Sequence, residues 1–170
     1  MTVAIEAFSS ADDWSEACAG RLASALGEGL STNNKALFAG AGGSTPSPIY
    51  QRLAQADLDW SRVAVTLVDE RHVPESSPDS NARLMRETLL TTALEPAVFG
   101  VPPGRDGMAP PQERISLNIP YLARARRVVL ALTGAKKRAV FEAEAAGDPA
   151  VQPIAALIAS GAPLEVLWTE

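Results

Sequence analysis

The run Ala36-Leu37-Phe38-Ala39-Gly40-Ala41-Gly42-Gly43-Ser44-Thr45-Pro46 decides how this chain reads. Four apolar residues lead into a loop of small ones, and hydroxyls and prolines then open a helical pattern. The local structure expected is a buried strand, a tight turn and a helix. Glycines in such a loop let backbone N–H groups approach an anion closely, and the positive end of the following helix favours a phosphate there. Proline suits the first turn of a helix, where its missing N–H would be unpaired in any case. A plain strand-to-helix turn that uses glycine for positive φ accounts for the same residues. The motif alone leaves both readings open.

Outward from this loop, apolar runs and helical periodicities alternate. Trp14, Cys18, Leu22, Leu26 and Leu30 recur every four residues and mark an amphipathic helix, with Ser10 or Asp12 as its cap. Residues 35–39 form a short strand, and 48–56 a helix with Ile49, Tyr50 and Leu53 inside. Val63-Ala64-Val65-Thr66-Leu67-Val68 is a second continuous, β-branched run. A helix is expected over 79–94, a strand over 114–119, a buried strand over 128–132, a helix over 136–146 and a closing strand over 164–168. Continuous rather than alternating runs suggest strands covered on both faces, as in a parallel sheet. The alternation of strands and helices argues for an α/β fold with a mainly parallel sheet. Ligands in such folds bind beyond the carboxyl ends of the strands. The loops at those ends are 40–46, 69–74 and 133–137.

The 170 residues suit one domain, 1–170, with a real core; 46% are hydrophobic and 21% charged. The net charge of −5 argues against a nucleic-acid surface. One cysteine, Cys18, cannot form an internal disulfide, and it reads as a small core residue rather than a nucleophile. No signal segment or membrane-length apolar run is visible, so a cytoplasmic protein is expected, with no membrane partner. One histidine and one cysteine rule out zinc-ligand spacing, so no such metal set is expected. The oligomeric state is not legible.

Two of the strand-end loops carry chemistry. In Asp69-Glu70-Arg71-His72-Val73-Pro74, Arg71 suits a phosphate or a partner carboxylate, and Asp69 could orient a sugar hydroxyl or a base. His72, the one histidine, alternates with Arg71 and reads as a surface residue rather than the general base. In Thr133-Gly134-Ala135-Lys136-Lys137-Arg138, lysines in the first helical turn oppose the helix dipole, a cost that a bound anion would offset. Asp79-Ser80-Asn81 reads mainly as a helix N-cap. The glycine loop matches neither a Walker nor a dinucleotide fingerprint.

These motifs, in this order, resemble the 6-phosphogluconolactonase family. The likeness runs from the loop ending at Pro46 through Asp59-Trp60-Ser61-Arg62-Val63, then Asp69 to Pro74 and Pro78-Asp79-Ser80-Asn81. It continues in Arg114-Ile115-Ser116-Leu117-Asn118, in Thr133-Gly134 with Lys137-Arg138-Ala139-Val140, and in the closing Leu167-Trp168. The resemblance implies a Rossmann-like three-layer sandwich of the deaminase and ribose-phosphate-isomerase type. It implies hydrolysis of 6-phospho-D-glucono-1,5-lactone to 6-phosphogluconate in the pentose phosphate pathway, without metal or cofactor. Carried over by position, Gly42, Gly43, Ser44 and Thr45 would cradle the phosphate with Lys137 as its cation. Asp69 and Arg71 would border the sugar and the catalytic centre. The related glucosamine-6-phosphate deaminases share the first loop type, but Arg71-His72-Val73-Pro74 and the strand at Arg114 argue against that branch.

One block of the family pattern is missing. A buried strand ending in Gly-Met-Gly-x-Asp-Gly-His, whose histidine would be the general base, belongs between Leu90 and Arg114. The stretch 95–113 instead holds five prolines and reads as a long loop. Gly104-Arg105-Asp106-Gly107-Met108 mimics part of the motif with methionine in the histidine's place; with no buried strand expected before it, the likeness reads as chance. Loss of a central strand would leave backbone groups unpaired on both neighbours. The expectation is therefore that a segment near Gly100-Val101 is omitted from this sequence. The alternative is a non-catalytic sugar-phosphate-binding module that has lost its base.

Overall fold

A computed structural model describes residues 3–90, 98–100 and 114–170. In chain order the elements are β1 (Ile5–Phe8), α1 (Ala11–Asn33), β2 (Ala36–Gly40), α2 (Ser47–Leu53), β3 (Val63–Leu67), β4 (Asp69–Arg71) and α3 (Asn81–Thr88). There follow β5 (Val98–Gly100), β6 (Arg114–Ser116), α4 (Ile119–Leu122), β7 (Val128–Thr133), α5 (Gly134–Ala145), α6 (Pro153–Ala159) and β8 (Leu164–Thr169). A 3-10 turn, Trp60–Arg62, leads into β3. The fold is α/β and Rossmann-like, with parallel sheets. Contacts group the chain into two compact units, residues 22–117 and residues 1–21 with 118–170.

In the unit 22–117, β3 lies between β2 and β5, and both pairings are parallel. Burial alternates along β3, where Val63, Val65 and Leu67 are buried while Ala64 and Thr66 are half-buried. On β2, Leu37 is 52% exposed between buried Ala36 and Phe38. One face of these strands is thus the more closely covered, since only alternate residues of a pleated strand share a side. On that face Phe38 and Tyr50 meet edge-on, with ring centroids 5.8 Å apart. A Cβ on Gly40 would lie 2.2 Å from Met85 Cε, so the end of β2 has no room for a side chain. β4 pairs antiparallel with β6, with Asp69 opposite Ser116 and Arg71 opposite Arg114.

In the other unit, β8 lies between β1 and β7, again in parallel pairings. Its core is Leu132, Phe141 and Val166, with Ile5, Leu130, Ile154, Leu164 and Trp168 packed around them. Ser10 caps α1: its Oγ accepts the N–H of Asp13 at 3.0 Å and donates to the Asp13 carboxylate at 2.7 Å. Trp14 and Cys18 are buried, and the Trp14 indole donates to the Leu167 carbonyl at 3.1 Å. No described helix is long and apolar enough to cross a membrane.

Three sequence expectations are corrected. α3 starts at Asn81 rather than 79, because Ser80 takes the cap position; the end of the expected helix, 91–94, lies outside the described residues. The stretch 95–113 is not wholly loop, because Val98–Gly100 pairs with Ala64–Thr66. A strand therefore does precede 104–108, and residues 101–113 lie outside the described residues. The carboxyl end of β3 is followed by a strand, β4, where the sequence suggests a polar loop. Charged residues make poor local strand signals, and the antiparallel pairing with β6 comes from a partner distant in sequence.

Candidate functional site

The glycine loop leaves β2 at Gly40 and reaches α2 at Ser47. Gly43 has φ +89, a left-handed conformation that glycine adopts without strain. Gly42 is needed for a different reason. A Cβ there would lie 1.7 Å from Asn81 Oδ1 and 2.5 Å from its Nδ2, so the Asn81 amide occupies the place of a side chain. Pro46 stands at the N-cap without a side-chain capping bond, and α2 has only seven residues. The helix dipole expected to favour a phosphate is thus only two turns long, and what the loop chiefly offers is close backbone approach. Its base is fixed by Tyr50, whose hydroxyl donates to the Ala41 carbonyl at 2.7 Å. Burial pushes this phenol well above its ordinary value, and the Asp69 charge adds to the effect, so it stays protonated.

Asp69 and Arg71 stand on β4, on the same side of the strand, with Glu70 between them facing the other way. Glu70 is buried. Its carboxylate accepts the N–H groups of Arg71 at 2.8 Å, Asn81 at 2.8 Å and Ala82 at 2.7 Å, and the Ser80 hydroxyl at 3.1 Å. An acid suits this place, because the first N–H groups of α3 have no partner within the helix and carry its positive end. Ser80 caps the same helix, its Oγ accepting the Arg83 N–H at 3.2 Å. The N-cap expected at 79–81 is therefore Ser80.

That leaves the Asn81 side chain free for another task. Asn81 is buried, and its Nδ2 donates to the Asp69 carbonyl at 2.9 Å and to the Asp69 carboxylate at 3.3 Å. The same amide lies against Gly42, so the structure brings Gly42 and Asp69 together on one side chain. Arg71 donates from Nη1 to the Asp79 carbonyl at 2.5 Å. Its Nε is buried and meets no hydrogen-bond partner among the described residues. An unpaired buried guanidinium N–H is costly, and an anionic or carbonyl ligand would satisfy it. His72 is exposed, as its alternation with Arg71 predicts.

Lys137 belongs to the other unit, exposed on the first turn of α5. Gly134 opens that helix with φ +79, and Thr133 at the N-cap makes no side-chain capping bond. The turn is held instead by Trp168, whose indole donates to the Gly134 carbonyl at 3.1 Å. The Arg138 guanidinium lies 4.8 Å from the centre of the Trp168 ring and pairs with Glu142 at 2.8 Å. Among the described residues, no three His, Cys, Asp or Glu side chains group closely enough to hold a metal. Sequence reasoning missed Glu70, Asn81 and Tyr50 as parts of the site. Of these, only Asn81 carries a signal in the sequence, one that helix capping accounts for equally well.

The sequence pattern of the family described as glucosamine-6-phosphate isomerases/6-phosphogluconolactonase matches residues 9–106 and 95–168. This chain belongs to that family. A 6-phosphogluconolactonase of Caulobacter vibrioides is 28% identical over 231 aligned positions, covering 99% of this chain and 98% of the relative. A 6-phosphogluconolactonase of Neisseria meningitidis serogroup A is 27% identical, over 86% of this chain and 90% of the relative. The crystal structure of a 6-phosphogluconolactonase from Shewanella baltica OS155 superposes with a TM-score of 0.86. It covers 99% of this chain and 98% of that one at 23% identity, a likeness of fold.

Proposed function

We propose that this protein hydrolyses 6-phospho-D-glucono-1,5-lactone to 6-phosphogluconate, the lactonase step of the pentose phosphate pathway. The observation that carries the reading is the meeting of the glycine loop and Asp69 on the buried amide of Asn81, in a chain of this family. Backbone N–H groups of residues 42–45, with the Ser44 and Thr45 hydroxyls, hold the phosphate, and Lys137 is its cation. Asp69 and Arg71 border the sugar, with the buried Arg71 Nε donating to substrate oxygen. Water attacks C1, the bond from C1 to the ring oxygen breaks, and that oxygen leaves as a hydroxyl after taking up a proton. The protein works in the cytoplasm as a single domain without metal or cofactor.

The base that activates the water is the histidine of the family's Gly-x-Asp-Gly-His block, which this sequence does not contain. The intact protein carries that block in a segment inserted near Gly100-Val101. Two findings support this. The 231 positions aligned with the Caulobacter relative exceed the 170 residues of this chain by 61. The family match also comes as two pieces that meet over 95–106. Intact mass of the protein purified from its own source tests the point. A mass several kilodaltons above 17.9 kDa is expected, and a mass of 17.9 kDa would leave a sugar-phosphate-binding module instead. Lys137→Ala should weaken 6-phosphogluconate binding about tenfold, the scale of one charge-assisted contact; unchanged affinity would remove Lys137 from the site.

A further inference from the structure

We infer that Asn81 is a positioning residue that couples the phosphate loop to Asp69, so that seating the phosphate and orienting the carboxylate are one event. The inference rests on the function proposed above, in which both groups serve one phosphosugar. Three observations carry it. The Asn81 side chain is 2% exposed, and Ser80 already performs the capping that an asparagine at this place would otherwise explain. Its Nδ2 spans both the main-chain carbonyl and the carboxylate of Asp69, which restricts how that carboxylate can turn. Its amide also fills the space beside the Gly42 Cα, so the loop cannot move toward α3 without displacing it.

The main chain beneath is held independently. The Asn81 N–H is bound by Glu70 at 2.8 Å, so shortening the side chain leaves the start of α3 anchored. A plain structural role would make Asn81 matter for stability alone. A coupling role makes the effect of changing Asn81 depend on whether Asp69 is intact, because the orientation that Asn81 imposes matters only while a carboxylate is there to be oriented.

The test is a double-mutant cycle in the protein purified from its own source, with Asn81→Ala and Asp69→Asn singly and together. The readouts are kcat and KM for the lactone, the Kd of 6-phosphogluconate, and the thermal midpoint. Asn81→Ala is expected to lower kcat at least tenfold and to weaken 6-phosphogluconate binding several-fold. The double variant should be no worse than about twofold beyond Asp69→Asn alone. Should Asn81→Ala fail to fold, Asn81→Ser, which is too short to reach both Asp69 oxygens, gives the same comparison. If Asp69→Asn is impaired and the two changes multiply independently, the coupling is overturned while the site stands. If Asp69→Asn leaves kcat and KM unchanged, the site assignment falls and the coupling with it. An Asn81→Ala variant that melts earlier but keeps kcat and KM within twofold also overturns it.

Discussion

The indole N–H of Trp168 donates to the carbonyl of Gly134 over 3.1 Å, tying the last strand to the first residue of α5. Gly134 sits at φ +79, and the helix it opens has no side-chain cap, so this bond is what holds the turn that carries Lys137. Trp168→Phe keeps an aromatic ring under Arg138 but removes the donor. It should cost about 1 kcal/mol of stability, the usual net worth of a hydrogen bond. If Lys137 is the phosphate's cation as proposed, steady-state kinetics should show a raised KM with kcat nearly unchanged, because the loosened turn carries that lysine and none of the reacting groups.

Glu70 should prove one of the most stability-sensitive polar residues of the unit 22–117. Glu70→Ala strands three N–H groups and the Ser80 hydroxyl in a buried place. A loss of roughly 3 kcal/mol is expected in urea unfolding. Glu70→Gln keeps one acceptor oxygen but turns an amide N–H₂ toward backbone donors, and should fall between Glu70→Ala and the unchanged protein.

Gly42→Ala sets a methyl 1.7 Å from the oxygen of the buried Asn81 amide. The loop or Asn81 must shift, at a cost of roughly 1–3 kcal/mol for overpacking. Isothermal titration with 6-phosphogluconate should show affinity falling more than stability does.

Cys18 should be silent toward thiol reagents in the native protein. Burial pushes its thiol from 9.0 up to about 12, with the Arg21 charge only partly opposing this. Ellman's reagent at pH 8 should report no fast thiol until denaturant is added. The sign of the pH effect follows. Between pH 9 and about 12 the unfolded chain ionises its thiol while the folded one does not, so the unfolded state binds fewer protons and stability falls as pH rises. The contribution is complete below pH 9. Cys18→Ala should flatten that part of the stability profile.

The strands with apolar, β-branched runs, β3 and β7, were legible in the sequence because local propensity and tertiary burial agree there. β4 and β5 were not. One is charged and the other is three residues between prolines, and each exists only through a partner strand far along the chain. The same divide runs through the site. Gly43 could be read from its own backbone needs. The reason for Gly42 is a side chain 39 positions away, and no spacing rule connects them. Asn81 looks in sequence like part of a helix cap, a task that the neighbouring Ser80 performs. Glu70 was hidden because a buried carboxylate at a helix N-terminus looks, in sequence, like any acid in a polar loop.

Lactone hydrolysis has a natural baseline in the spontaneous opening of the lactone. The most direct measurement follows disappearance of freshly generated 6-phospho-D-glucono-1,5-lactone at neutral pH, with and without the protein purified from its own source. First-order loss that accelerates in proportion to protein concentration and is inhibited by 6-phosphogluconate is expected. A rate no faster than the protein-free control, with 6-phosphogluconate still bound, would contradict it and leave a protein that holds the sugar phosphate without opening the ring.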